Sequence, residues 1–202
     1  MTLVEDIVVR RLGQVPYAPT LESMRAFTAK RDAATADELW LLEHPPVYTL
    51  GQGADARTVA NGIPVVRTDR GGDITYHGPG QIVLYALIDL ARRGIKVKRF
   101  VSILEQAVVD LIGPRAERRS GAPGVYVEGA KIAALGIRVV RGRSYHGLAL
   151  NVDMDLAPFA AIDPCGYPGL RVTQTKDIGL KQDRNRIETR LVKNLVAGLE
   201  NA

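Results

Sequence analysis

Seven residues in succession, Ile82 to Ile88 (IVLYALI), stand between Gln81 and Asp89 without a charge among them. A run that continuous reads as a strand covered on both faces, because a strand with one face in water would alternate. It falls far short of the roughly 20 residues a membrane span needs, so no membrane segment is expected. What feeds the run is as constraining as the run itself. From Arg70 the chain reads RGGDITYHGPGQ, with six polar side chains (Arg70, Asp73, Thr75, Tyr76, His77 and Gln81) set among glycines and a proline. That density fixes an irregular backbone that something can approach closely; the plainer reading is a hairpin turn in front of a core strand.

Around this centre the periods alternate. Leu3 to Val9 mixes apolar and acidic residues as an outer strand would, and Leu21, Met24 and Phe27 recur at helical spacing before Arg31. Glu38 to Glu43 reads as a strand stopped by Pro45-Pro46, which leaves VYTLGQG as loop or edge, since proline cannot donate to a sheet ladder. Ile63 to Arg67 is another short strand. Phe100, Ile103, Leu104, Ala107, Val108, Leu111 and Ile112 share one helical face, closed by Gly113-Pro114. Short strands resume at Gly124–Val127, Lys131–Val140 and Tyr145–Met154. In the last, His146, Leu148, Leu150, Val152 and Met154 alternate with a face of small residues that includes Gly147 and Ala149. A proline- and glycine-rich region from Pro158 to Gly169 follows, and Ile187, Leu191, Val192, Leu195 and Leu199 mark a closing helix. The pattern predicts an α+β (mixed α/β) chain, helices packed on a largely antiparallel sheet, in a single domain over residues 1–202.

With one cysteine, Cys165, an internal disulfide is impossible, and three histidines beside it argue against a structural zinc site. The start, MTLVEDIVVRR, lacks the order of a basic region and then an apolar stretch that a signal peptide needs, so a cytoplasmic protein is expected. A net charge of +5 suits an acidic partner without choosing one.

Cys165 lies in DPCGYPG, in a loop rather than the apolar strand where a structural cysteine is normally buried; the placement leaves two readings level, a reactive thiol and a bystander. It needs a partner, and the candidates are His77, His146 and Lys131. His146 falls on the apolar face of its strand and reads as a hydrogen-bonded core histidine, while His77 is freer to face a ligand. Lys131 opens a strand whose face continues through Ala133, Leu135, Ile137 and Val139. Such a lysine either snorkels to solvent or holds its amine in a dry site.

RGGDITYHGPGQIVLY, HPPVYTLG, GAKIAALGIR, YHGLALNVDMDL and DPCGY, taken together and in this order, resemble the lipoyl (octanoyl) transferases, over about Glu43 to Tyr167. The resemblance implies the catalytic fold of biotin and lipoate protein ligases. It implies transfer of an octanoyl group from the phosphopantetheine thiol of acyl carrier protein to a lysine of lipoyl domains, those of 2-oxoacid dehydrogenase complexes and the glycine cleavage H protein. Cys165 matches the family's acyl-carrying cysteine and Lys131 its acid-base lysine. The substrate-contacting segments correspond to Arg70, Gly71, Gly72, Asp73, Ile74, Thr75, Tyr76 and His77, to Ala134, Leu135 and Gly136, and to Gly147, Leu148 and Ala149. Asp163 departs from the asparagine common in the motif, and a carboxylate there would raise the thiol pKa.

Elementary chemistry agrees with that implication. Thioester-to-amide transfer is downhill and needs no ATP, metal or other cofactor, but two large carriers can hardly share one site. A covalent relay through the cysteine separates their visits. In this reading the glycine-rich stretch lines the acyl pocket and offers backbone amides as an oxyanion hole, with Gly136, Gly147 and Ala149 leaving room for the chain. Two alternatives are weighed against it. An ATP-dependent lipoate or biotin ligase would need a nucleotide-phosphate site, for which the only hint is RGR at Arg141–Arg143, and it leaves Cys165 idle. A nucleic-acid-binding module would use the positive charge, but aromatics are 5% and none interleave with the basic residues in a known motif.

Overall fold

The computed structural model describes residues 2–4, 6–55, 59, 61–162, 169–180 and 182–202. Cys165 and Asp163 lie outside the described residues. The larger sheet has eight strands: β1 (Thr2–Val4), β2 (Ile7–Gln14), β3 (Asp37–Glu43), β7 (Gln81–Leu87), β11 (Arg143–Asn151), β10 (Ala130–Val140), β9 (Gly124–Val127) and β8 (Ala116–Arg118), in that spatial order. All its pairings are antiparallel except β2 with β3. A second sheet of three strands places β4 (Val47–Leu50) between β5 (Val65–Arg67) and β6 (Ile74–His77).

The continuous apolar run becomes β7, and the reason it does not alternate is visible in its two faces. Ile82, Leu84, Ala86 and Ile88 join one core with Leu39, Leu41 and the inner faces of α2 (Val97–Ile112) and α3 (Arg184–Glu200). Val83, Tyr85 and Leu87 join another with Trp40, Leu42 and Tyr17, Leu21 and Met24 of α1 (Tyr17–Lys30). Helices cover both sides, so every position is apolar. The helical face predicted from Phe100 to Leu111 is buried as expected, and Gly113 ends it at φ +94° with its N–H given to the Val109 carbonyl. Asp183 caps α3, its carboxylate accepting the Arg186 N–H at 2.9 Å.

Four expectations change. Leu3 to Val9 is not one outer strand but β1 and part of β2, which fold back on each other across Asp6. The VYTL segment is neither loop nor edge: β4 is the middle strand of the second sheet, hydrogen-bonded on both sides once the prolines before it have ended β3. The alternation across His146 fails. That residue adopts φ +62°, and its ring stacks on neighbouring Tyr145 at 5.0 Å instead of lying with Leu148. Lys131 does not share a face with Ala133 either. A bulge between them sets Lys131 opposite Tyr126 and Ala133 opposite Val125, so two residues of β10 advance against one of β9. Ala133 joins the α2/α3 core with Val125, while the Lys131 amine lies 5.2 Å from the Tyr126 ring.

Candidate active site

The glycine-rich stretch is held from several sides. Gly71 donates its N–H to the Ile137 carbonyl at 3.0 Å, Gly53 donates to the Gly72 carbonyl at 3.0 Å and Gln52 to the Arg70 carbonyl at 2.9 Å. A Cβ on Gly136 would stand 2.8 Å from the Gly71 carbonyl oxygen and 3.1 Å from Arg70 Cδ, so the stretch can cross β10 only over a glycine. The glycines therefore answer first to close backbone approach. The same holds for Gly147, whose Cβ would run into the Leu84 backbone carbonyl of β7.

Beneath the stretch lies a cavity of about 40 Å³. Arg70, Gly72, Thr75 and His77 line it from above, Ala134, Leu135 and Gly136 from β10, and Gly147, Leu148 and Ala149 from β11. The three segments expected to touch substrate thus converge on one space. Gly71 faces an adjoining groove, Asp73 turns its carboxylate to its neighbour's Ile74 N–H at 2.7 Å, and Ile74 and Tyr76 point into a separate apolar cluster with Tyr48, Met154 and Phe159. Sequence reasoning missed Tyr17, Val83 and Tyr85 in the cavity wall. Tyr85, with the one polar tip in the apolar run, carried a signal; Tyr17 carried none.

The polar groups of the cavity are organised by hydrogen bonds. The Arg70 guanidinium donates to the Thr49 carbonyl at 2.6 Å, to Thr49 Oγ1 at 2.9 Å and to the Gly71 carbonyl at 2.9 Å. His77 donates through Nδ1 to Gln81 Oε1 at 2.7 Å, because the Gln81 amide is oriented by donating to Asn151 Oδ1 at 3.0 Å and to the Tyr76 carbonyl. Its Nε2 is then the acceptor, with the Thr49 hydroxyl at 3.4 Å. His44 is fixed the same way, donating through Nδ1 to the Val15 carbonyl at 2.7 Å and accepting the Tyr85 hydroxyl at Nε2 at 2.7 Å. Burial lowers the pKa of His77 to about 3, helped by nearby His44, and burial lowers that of His44 to about 4. Both rings are neutral at physiological pH.

A second network anchors the stretch from Asp69. Burial alone would raise this carboxyl, but hydrogen bonds from His146 (2.9 Å) and Tyr145 (2.7 Å) and the Arg25 guanidinium hold it well below the usual range. The left-handed backbone at His146 is what lets both adjacent rings reach the same carboxylate. His146 is buried and hydrogen-bonded as expected, though to Asp69 and off the apolar face.

Lys131 is 3% exposed, so it does not snorkel to solvent. Its amine donates to the Pro123 carbonyl at 3.2 Å, and Pro123 lines the groove that Gly71, Gly72, Leu135 and Gly136 also border. Its backbone is bound to the segment that follows the cysteine loop in sequence: Lys131 N–H donates to the Arg171 carbonyl at 2.8 Å and Thr173 N–H to the Lys131 carbonyl at 2.9 Å. RGR at Arg141–Arg143 is the tight turn between β10 and β11. Arg141 is at φ +50°, the Gly142 carbonyl accepts Ala91 N–H, and Arg143 pairs with Asp89 at 3.3 Å. Ten residues along the strand from Lys131, this turn stands roughly 30 Å away at about 3.3 Å per residue, and it serves as structure rather than as a phosphate site. Among the described residues, no group of three or more His, Cys, Asp or Glu could hold a metal ion, and no helix is long and apolar enough to cross a membrane.

An α+β sheet whose glycine-rich crossing and small-residue strands enclose a cavity, with a buried lysine bonded to the wall of the adjoining groove, defines a protein-ligase-like catalytic domain. Similar solved structures bear that out at the level of fold. A bi-partite lipoate protein ligase from Thermoplasma acidophilum superposes with a TM-score of 0.73 at 17% identity, covering 96% of this chain and 84% of that one. Biotin protein ligase from Aquifex aeolicus does so with a TM-score of 0.56 at 10% identity, covering 98% and 70%. Residues 16–196 match the lipoyl protein ligase A/B catalytic domain family, and the chain belongs to that family. Similar curated proteins include octanoyltransferases: the chain is 63% identical to that of Aromatoleum aromaticum (88% of this chain, 79% of the relative) and 61% identical to that of Thiobacillus denitrificans (94% and 89%). The chain is an acyltransferase of octanoyl transfer in protein lipoylation.

Proposed function

We propose that this transfer runs through a thioester on Cys165, with Lys131 moving the protons, octanoyl-acyl carrier protein as donor and lysines of lipoyl domains as acceptors, in one cytoplasmic domain. The observation that carries the reading is the bulge in β10, which turns a nearly fully buried lysine away from the α2/α3 core and toward the groove beside the cavity. In the first half-reaction the Cys165 thiolate attacks the thioester carbonyl, the carbon–sulfur bond to the carrier breaks, and the departing thiolate takes a proton from the Lys131 ammonium. In the second, the acceptor amine attacks the new thioester, the bond to Cys165 breaks, and the Lys131 amine takes the proton the nitrogen sheds, which restores the starting ion pair.

His77 is the rival base, and its hydrogen bonds speak against it. Its Nδ1 proton is committed to Gln81 and its burial makes a charged ring costly. Arg70, Thr75 and His77 are assigned to substrate positioning with Gly72, Ala134–Gly136 and Gly147–Ala149. An oxyanion hole cannot use the Gly71 N–H, which Ile137 occupies; the Gly72 N–H is the better candidate donor. Alkylation rate of Cys165 against pH tests the dyad. Lys131→Ala should shift the thiol titration upward and lower transfer by orders of magnitude, whereas His77→Ala should leave the titration in place; a titration that follows His77 instead overturns the assignment.

A further inference from the structure

A thioester carries two substituents, a hydrocarbon chain on its carbonyl carbon and an arm on its sulfur. The structure holds two cavities that meet on shared walls, since Gly72, Leu135 and Gly136 border both. The inner one is the cavity already described. The outer one, of about 300 Å³, continues past Gly71 and Ile137 to Val101 of α2 and the 121–123 loop. Its Pro123 wall is the residue whose carbonyl holds the Lys131 amine.

The two spaces differ in burial and in chemistry. Tyr17, Thr75, His77, Val83, Tyr85 and Ala149 of the inner cavity are all buried, whereas every described residue that lines the outer groove is half-buried or exposed. Among the described residues that line the outer groove no side chain is charged; they are valine, leucine, isoleucine, alanine and proline over glycine backbone. Along these walls the groove suits a slender, uncharged chain better than a phosphate or a carboxylate. An acyl tail can end inside the protein. A sulfur arm tethered to a carrier must reach solvent.

We propose that the outer groove is the passage for the sulfur arm of the thioester donor, its floor set by Leu135–Ile137 and its outer wall by Val101 and Ala122, while the hydrocarbon chain takes the inner cavity. The assignment rests on the reading that the thioester carbonyl reacts beside Lys131. Leaving of the thiol through this groove also clears the same route for the next substrate, which matches a relay in which the carriers alternate.

The test compares two octanoyl donors, a pantetheine thioester with a long neutral arm and an ethyl thioester with almost none, by steady-state amide formation. Val101→Trp, which fills the groove from α2, should lower the ratio of kcat/KM for the long-armed over the short-armed donor by about tenfold or more. Ala122→Leu, a smaller intrusion from the opposite wall, should move the ratio in the same direction and decides the matter if the tryptophan variant fails to fold. A ratio unchanged in a folded variant, or a loss equal for both donors, overturns the proposal. Intact mass of the unsubstituted protein is recorded alongside: absence of an acylated Cys165 would count against the covalent relay, while the donor ratio, read on the amide product, still judges the groove.

Discussion

Acidification should destabilise this fold through two buried rings before any carboxylate is protonated. His44 and His77 meet edge to face with ring centroids 5.7 Å apart, both neutral, with pKa values of about 4 and about 3 against roughly 6.5 in an unfolded chain. A base whose folded pKa is depressed binds protons in the unfolded state first, so stability is full above the unfolded pKa and falls as pH drops below it. Between pH 7 and pH 5 the unfolded chain gains about three quarters of a proton at each ring and the native protein almost none. Integration gives about 2 kcal/mol per histidine and about 4 kcal/mol together, which compares with roughly 5–15 kcal/mol for a whole domain. Neither ring is charged in the native state at pH 5, so their mutual repulsion does not enter twice. His146, also lowered by burial, pushes in the same direction. Urea unfolding followed by the fluorescence of Trp40, buried and donating to Glu38, measures the change. With a slope of about 2 kcal/mol/M the midpoint should move by roughly 2 M between the two pH values. His44→Gln should remove about half of that shift whatever it does to absolute stability. A midpoint independent of pH over this range, or a shift unchanged in His44→Gln, would refute the reasoning.

Three further outcomes follow from packing and charge. Gly147→Ala forces a Cβ into the β7 backbone and should cost about 2–3 kcal/mol of stability, seen as a Tm several degrees lower, so that any change in acyl-chain preference is secondary to damage in the sheet. Asp37→Asn leaves the fully buried Arg31 and the neighbouring Arg92 and Arg93 without their shared carboxylate and should cost about 3–5 kcal/mol in the same assay, well beyond any surface pair. If the charge of +5 steers acidic carriers, raising salt should slow transfer between carriers far more than attack by a small amine on preformed acyl-enzyme; equal sensitivity would make the charge incidental.

Much of the fold could be read from period and punctuation because those signals are local. The unbroken run of β7, the helical face of α2 and the Gly113 stop all follow from residues within a few positions of each other. What escaped depends on partners distant in sequence. Val47–Leu50 became a central strand because β5 and β6 pair with it from either side, which no rule about the preceding prolines could reveal. The Lys131 bulge exists only relative to the register of β9, and it decides which face the lysine takes. His146 leaves its alternating position because Asp69, far away in sequence, accepts its ring nitrogen together with the Tyr145 hydroxyl. For the site, ordered motifs brought ten of the fourteen expected contact residues to one cavity. Ile74 and Tyr76 were swept in by adjacency, since a strand sends alternate side chains to opposite sides.

The most direct test of the covalent relay is the mass of the protein itself during turnover. Incubated with octanoyl-acyl carrier protein, without ATP and without an acceptor, and quenched in acid, the chain should gain the mass of one octanoyl group on the peptide that contains Cys165. Addition of a lipoyl domain should discharge it, and Cys165→Ala should neither gain the mass nor form amide. Amide formation at an undiminished rate by Cys165→Ala, or by a wild-type protein that never gains the octanoyl mass, would contradict the account.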